Sequence, residues 1–293
     1  MTSRRTLYPL IALGIVAISF GAILIRLLPD IPVFSIAAWR LGVAVILLAP
    51  LGGARLRRTP PRRADLLTGL GSGVFLAFHF ILWISSLEYT SVASSVVLVD
   101  TSPIFVGLGA WVFLRERPRG WLIAGIVLSV IGGGVIGWGD IRATGEALVG
   151  DLLALGGAAM AAGYLILGRR VRPRVDIIPY LTITYGTAAA ILLVGTGITH
   201  APLIGFSGRE YLYLVLLAVV PQLLGHGTIN WALRHLSAGT VAVLTLGEPI
   251  GATALAYLIL GEEVTLLKGI GAAVILSGIY LSLHEEAADD EHG

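Results

Sequence analysis

Long apolar stretches of about 20 residues constrain this 293-residue chain more than any other feature. A helix of that length crosses the roughly 30 Å hydrocarbon core of a bilayer. Alternating segments of about ten residues, typical of membrane barrels, are not seen. Charged residues are only 13% of the chain, against roughly 25% in soluble proteins. We therefore predict an all-α membrane protein with ten transmembrane helices and a multi-pass location in the cell (inner) membrane. The ten predicted helices are approximately Leu7–Leu28, Val33–Leu51, Asp65–Leu87, Ser91–Leu114, Arg119–Gly139, Leu148–Gly168, Ile177–Thr199, Tyr211–Leu233, Ser237–Leu260 and Thr265–His284.

The basic residues favour one orientation of these helices, because Lys and Arg collect in cytoplasmic loops. With the N-terminus in the cytoplasm, fifteen of the 20 basic residues fall in inner segments, three in outer loops and two within helices. The inner residues are Arg4, Arg5, Arg55, Arg57, Arg58, Arg62, Arg63, Arg115, Arg117, Arg119, Arg169, Arg170, Arg172, Arg174 and Arg234. An even number of helices then places both termini in the cytoplasm. The basic run at 55–63 is interpreted as a topology anchor, so no nucleic-acid partner is expected.

The chain also contains an internal repeat, which predicts two five-helix units. A shift of 146 residues aligns Ser91–Val135 with Ser237–Leu281 without a gap, and it pairs Pro103 with Pro249. Five helices are an odd number, so the second copy must be inserted upside down. The basic loop at 115–119 accordingly loses its arginines in the second copy, at 261–265. The predicted organisation is a first repeat at 1–140, an outer linker at 141–146, a second, inverted repeat at 147–285 and an acidic cytoplasmic tail at 286–293.

Inverted repeats favour a transporter, because two similar halves can exchange conformations around a midplane site. The 5+5 arrangement, Trp39-Arg40, the pairs Ser102-Pro103 and Glu248-Pro249, and the helix ends near Leu114 and Leu260 resemble the drug/metabolite transporter superfamily. Within it they resemble the EamA-type exporters, and among these the YddG-type aromatic amino-acid exporters. The resemblance implies a central cavity lined mainly by the first, third, fourth, sixth, eighth and ninth helices. We therefore expect export of small neutral or zwitterionic organic solutes, in particular amino acids with aromatic ones favoured, by alternating access.

Polar side chains within predicted helices mark the candidate site, because each is costly in a bilayer without a partner or a watery cavity. The residues expected to line the substrate cavity are His79, Trp83, Asp100, Tyr164, Gln222, His226 and Glu248. Several of them have a structural alternative: the two histidines could be packing residues, and the aromatic rings could fill lipid-facing grooves. Glu248 could bind a proton or a substrate ammonium group, or it could be the partner of Arg40. Arg40 itself is assigned a structural, charge-pairing role.

Pro103 and Pro249 are expected to kink the fourth and ninth helices, either as hinges or as fixed bends. Closely spaced glycines such as Gly69 and Gly73 are expected to let helix backbones approach.

The sequence lacks the residues that several other functions would require. The chain has no Cys, and it has no phosphate-binding loop with Lys, so no metal or other cofactor is predicted. Polyanionic substrates need several cationic groups, and only two arginines fall within helices. An intramembrane enzyme or a passive channel is the alternative to a carrier, but no known nucleophile or metal motif supports an enzyme. The internal duplication makes a monomer sufficient without excluding an oligomer.

Overall fold

The computed structural model describes residues 4–90, 92–115, 120–138 and 145–261, together with short helical pieces between 266 and 281. All regular structure in these ranges is helical. The elements are α1 (Arg4–Arg26), α2 (Val33–Arg58), α3 (Arg63–Tyr89), α4 (Val92–Val99), α5 (Ser102–Gly109), π1 (Ala110–Leu114), α6 (Gly120–Trp138), α7 (Gly145–Val171), α8 (Ile177–Thr199), α9 (Gly208–Leu217), π2 (Ala218–His226), α10 (Gly227–Ala232), α11 (Ala238–Thr245), α12 (Glu248–Leu255) and π3 (Ala256–Leu260).

Eight segments of the described chain are long and apolar enough to cross a membrane. They correspond to the first four predicted helices and to the sixth through ninth. The fifth is helical as α6, with a shorter apolar stretch at Ile123–Gly132, and the tenth is described only in pieces around Gly269–Gly278. Of the predicted linker, residues 145–146 begin α7, whereas 141–144 and the tail at 286–293 lie outside the described residues.

The outer surface of this bundle is apolar. Large hydrophobic side chains such as Leu13, Ile46, Phe113 and Ile198 are more than half exposed. A soluble protein does not carry such a surface, but lipid chains solvate it without cost. The helices and their apolar exterior are those of a multi-pass membrane protein.

Two of the membrane-spanning segments contain a two-residue break in the regular α-helix, next to the prolines where the sequence predicts kinks. In the fourth, α4 ends at Val99 and α5 begins at Ser102; in the ninth, α11 ends at Thr245 and α12 begins at Glu248. Proline is the second residue of each new half-helix. Proline has no N–H to donate, so it is tolerated in the first turn of a helix but not in its interior. Pro103 and Pro249 therefore lie in the first turn after each break, and Thr101 and Gly247 before them keep right-handed helical φ and ψ.

The backbone irregularities repeat at the same 146-residue shift that aligns the sequences. The π-helical turns π1 and π3 occupy equivalent positions, and each is followed by a left-handed residue, Arg115 with φ 61° and Gly261 with φ 72°. Each broken segment thus consists of a half-helix, a two-residue turn, a second half-helix, a π turn and a left-handed cap.

The two halves of the chain interleave in the packing. α3 packs on α7 and α8, α2 packs on α8, and α1 packs on π2 and α12. The two broken segments cross each other, with α5 against α11 and α4 against α12. Glycine permits the closest approaches: a Cβ added at Gly73 would lie 2.5 Å from the carbonyl oxygen of Thr184. This arrangement brings both breaks to the centre of the bundle.

Candidate functional site

A cavity lies where the two breaks meet. It is lined by Ile18, His79, Trp83, Val99, Asp100, Ser102, Ala161, Tyr164, Leu165, His226, Ile229, Thr245 and Glu248. These residues come from α1, α3, both broken segments, α7, π2 and α10, so both halves contribute. The cavity volume accessible to water is about 50 Å³, which is room for a few water molecules. An organic solute would have to widen it.

Six of the seven residues that the sequence predicts at the cavity line it, namely His79, Trp83, Asp100, Tyr164, His226 and Glu248. Sequence reasoning missed Ser102 and Thr245, although the repeat offered a signal. Ser102 is equivalent to Glu248 and Val99 to Thr245, and all four line the cavity. The 146-residue shift therefore relates lining positions to each other.

One wall of the cavity is aromatic. His79 and Trp83, one turn apart on α3, stack with ring centroids 6.1 Å apart and planes 6° from parallel, and His226 approaches His79 edge-on at 6.4 Å. Nδ1 of His79 lies 3.0 Å from the carbonyl oxygen of Gly157. A carbonyl only accepts, so Nδ1–H donates and Nε2 is the remaining polar atom of the ring.

The two carboxylates stand at the two breaks. Asp100 lies in the turn between α4 and α5, and Glu248 is the first residue of α12. Both are buried, and within the described chain neither takes part in an ion pair. Oδ2 of Asp100 and Nε1 of Trp83 have no hydrogen-bond partner. Buried polar groups are normally hydrogen-bonded, so the cavity holds an unused acceptor and an unused donor.

Arg40 and Gln222 lie together outside the cavity lining. Arg40 is almost completely buried, donates from Nε to Oε1 of Gln222 at 2.7 Å, and places Cζ 4.2 Å from the ring centre of Phe80. Gln222, which the sequence predicts at the cavity, is not among the lining residues and accepts the hydrogen bond from this guanidinium. The described contacts include no Arg40–Glu248 ion pair within 4.0 Å. The contacts of Arg40 are the hydrogen bond to Gln222 and the cation–π contact with Phe80, and its Nη1 is buried without a hydrogen-bond partner.

A second polar network connects the cavity to one end of the bundle. The side-chain amide of Asn230 donates to the hydroxyl of Tyr164, and Nε of Arg172 donates to the carbonyl oxygen of Asn230 at 2.9 Å. Arg172, in the turn after α7, is buried, and this burial lowers its pKa to about 10. The sequence counted Arg172 only as an orientation signal, because nothing in its local sequence distinguishes it from its exposed neighbours.

The same end of the bundle carries an ion pair that joins the two halves of the chain. Nε and Nη2 of Arg174 donate to Oδ1 of Asp65 at 3.0 and 2.5 Å. The hydrogen bonds that Arg174 donates to Asp65 raise the pKa of Arg174. Asp65 lies in the first turn of α3 and Arg174 precedes α8, so the pair lies across the α3–α8 contact.

No group of three or more potential metal ligands occurs within the described residues. The lining set consists of two carboxylates, two imidazoles, hydroxyls, aromatic rings and aliphatic side chains. These groups can bind a small polar organic molecule by charge, hydrogen bonds and stacking.

A sequence model of the EamA-like transporter family matches the chain twice, at residues 6–138 and 148–284. The relatives include a protein of Escherichia coli (strain K12) named "Probable amino-acid metabolite efflux pump", 28% identical over 75% of this chain and 76% of its own length. A Salmonella typhimurium protein of the same name is 29% identical over 74% of this chain and 76% of its own length.

"Solute carrier family 35 member G1" of Mus musculus is 26% identical over 77% of this chain and 64% of its own length. One solved crystal structure superimposes with a TM-score of 0.77 over 96% of this chain and 97% of its own, at 20% identity. At that identity the likeness concerns the fold alone.

Proposed function

Since the chain belongs to the EamA-like transporter family and is a multi-pass membrane protein, we propose that it is a secondary transporter that exports small neutral or zwitterionic organic solutes. Amino acids are the proposed class, with aromatic ones favoured. The observation that carries this proposal is the buried cavity at the crossing of the two broken segments, lined by polar and aromatic groups from both halves. Two relatives whose printed names are amino-acid metabolite efflux pumps support the substrate class.

The proposed architecture is ten transmembrane helices in two inverted five-helix repeats, with both termini in the cytoplasm. Two segments, each with a break between two eight-residue half-helices, suit a carrier, because discontinuous helices commonly form the substrate sites of transporters. In this proposal the substrate is bound by His79, Trp83, Asp100, Tyr164, His226 and Glu248. Pro103 and Pro249 form the hinges, because the half-helices they start can tilt against the halves before them.

Alternating access then requires one end of the cavity to close while the other opens. The Asp65–Arg174 ion pair and the buried Arg172 close the end that the arginine distribution assigns to the cytoplasm. Exchange of the two halves would separate these contacts. In the proposed mechanism a monomer is sufficient, because both halves of the cavity come from one chain.

Purified protein in liposomes provides the test. A carrier moves labelled phenylalanine or tryptophan with saturable kinetics, and unlabelled solute trapped inside accelerates uptake of the label by counterflow. A passive channel gives linear flux without counterflow. Flux equal to that of empty liposomes across a broad panel of metabolites would contradict transport altogether. Chemical conversion of a solute without transport would instead point to an enzyme.

A further inference from the structure

We infer that the cavity recognises a protonated amino group, held between Asp100 and Glu248. It would therefore bind organic monocations such as primary amines as well as zwitterionic amino acids. This inference rests on the proposed function and names the chemical feature by which the site selects its solute.

The charges at the site are unbalanced. Two acidic side chains, Asp100 and Glu248, line the cavity, and among the described residues that line it there is no lysine or arginine. Arg40 lies outside the cavity lining; its Nε donates to Gln222 and its guanidinium contacts Phe80, while its Nη1 is buried without a hydrogen-bond partner. Burying uncompensated charge is costly. A positively charged group of the solute would give the two acidic side chains a partner inside the cavity.

The unused polar atoms support the same conclusion independently. Oδ2 of Asp100 and Nε1 of Trp83 are buried without hydrogen-bond partners, and both residues line the cavity. An ammonium group has three donors and no acceptor, which matches a pair of carboxylates. The indole N–H can serve an acceptor elsewhere on the solute, such as a hydroxyl or carboxylate oxygen.

The aromatic wall favours an organic cation over an inorganic one. Trp83, Tyr164 and the stacked His79 lie on the same cavity as the carboxylates. Indole and phenol faces attract cations, and they also stack on a planar hydrocarbon part of the solute. No metal-binding cluster competes for this role within the described residues.

The two carboxylates belong to different halves of the chain, and each is attached to a break. A cation bound between them would therefore link α4–α5 of the first half to α12 of the second. If the amino group binds more tightly when the two breaks are close together, the solute favours that conformation over one in which they are apart.

A binding experiment tests this without requiring transport. Four solutes share one phenyl ring: phenylalanine, phenethylamine, N-acetylphenylalanine and 3-phenylpropionate. Thermal unfolding of the detergent-solubilised protein reports binding, because a ligand of the folded state raises its stability. We expect phenylalanine and phenethylamine to raise the melting temperature at concentrations at least about tenfold lower than the two compounds without a protonated amine. Equal effects of 3-phenylpropionate, or no effect of phenethylamine, would overturn the inference.

Two variants locate the binding group. Asp100→Asn and Glu248→Gln should each weaken phenethylamine binding by about tenfold or more, since each removes a charge-assisted hydrogen bond. Asp30→Asn removes the same charge from the exposed turn between α1 and α2 and should leave binding unchanged. Unaltered binding in both cavity variants would contradict the inference, and the wild-type solute series decides it even if a variant does not fold. Amine binding without any flux in liposomes would support the inference and refute the proposed transport.

Discussion

The two breaks share a backbone and differ in where they carry charge. Both have a half-helix, a two-residue turn and a second half-helix that starts with a residue followed by proline. The second half-helix of the first break starts with Ser102, and that of the second starts with Glu248. In the first break the carboxylate is Asp100, which lies in the turn itself.

This difference shows that the two repeats share their backbone geometry at the breaks but carry different side chains at equivalent positions. Glu248 is the first residue of α12, where the unpaired N–H groups and the helix dipole stabilise a negative charge. Asp100 precedes α5 and has an oxygen without a partner. Two equivalent breaks thus supply two inequivalent carboxylates to one cavity, and the site is asymmetric although its scaffold is not.

The largest expected effect comes from removing the charge at the second break only. Glu248→Gln should lower solute flux in liposomes by about tenfold or more, because a buried charge-assisted contact is lost. Ser102→Ala, at the equivalent position of the first break, should lower it by less than about threefold, because only a neutral hydroxyl is removed. Folded yield after size-exclusion chromatography serves as the control for both. Similar flux in the two variants would show that Glu248 is structural.

The next largest effect is expected on stability, when a side chain is added where α12 packs on α1 beside the second break. A Cβ added at Gly251 of α12 would lie 2.2 Å from Oγ of Ser19 on α1, whereas at Gly42 on α2 nothing lies within 4 Å. Gly251→Val should therefore cost about 1–3 kcal/mol of stability through overpacking, and Gly42→Val should cost less. The measurement is thermal unfolding in detergent. Equal loss in the two variants would mean that α12 and α1 separate without cost.

The prolines distinguish a fixed break from a mobile one. Pro103→Ala and Pro249→Ala each restore an N–H donor, and one added backbone hydrogen bond is worth about 1 kcal/mol, or roughly fivefold in an equilibrium. If the breaks are hinges, each variant should slow counterflow by about that factor while solute binding is retained. Unchanged counterflow rates would favour fixed bends that only shape the cavity.

The smallest effect is expected at the caps of the two broken segments. Arg115 and Gly261 occupy equivalent left-handed positions, which favour glycine. Arg115→Gly should stabilise the protein by about 0.5 kcal/mol, and Gly261→Ala should destabilise it by about the same amount. Thermal unfolding of both variants beside the wild type gives the comparison. Shifts of the same sign would show that the two caps are not equivalent.

Much of the fold follows from local sequence. The eight spans of the described chain lie where apolar stretches predict them, because helix length is set by the bilayer and not by distant partners. The prolines marked both breaks, which lie where the sequence predicts kinks. Whether a proline bends a helix or starts a new one depends on whether neighbouring groups satisfy the freed carbonyls, and that is a matter of packing.

The candidate site was less predictable. Helix position alone placed His79, Asp100, His226 and Glu248 near the membrane centre. It could not show that Gln222 is bonded to Arg40, which is 182 residues away in the chain, and does not line the cavity. It also could not show that Arg172 is buried, because the residues that cover it come from other helices.

By itself, the sequence determined the helical segments, the places where two of them break, and the repeat that relates those breaks, since apolar length, proline and duplication act within the chain or its bilayer. Only the tertiary structure decided which polar groups meet. Arg40 is bonded to Gln222, Arg172 to the backbone of Asn230, and Asp100 and Glu248 are left in one cavity without a cation within ion-pair distance among the described residues. Those pairings join residues from distant helices, and the crossing of the helices selects them.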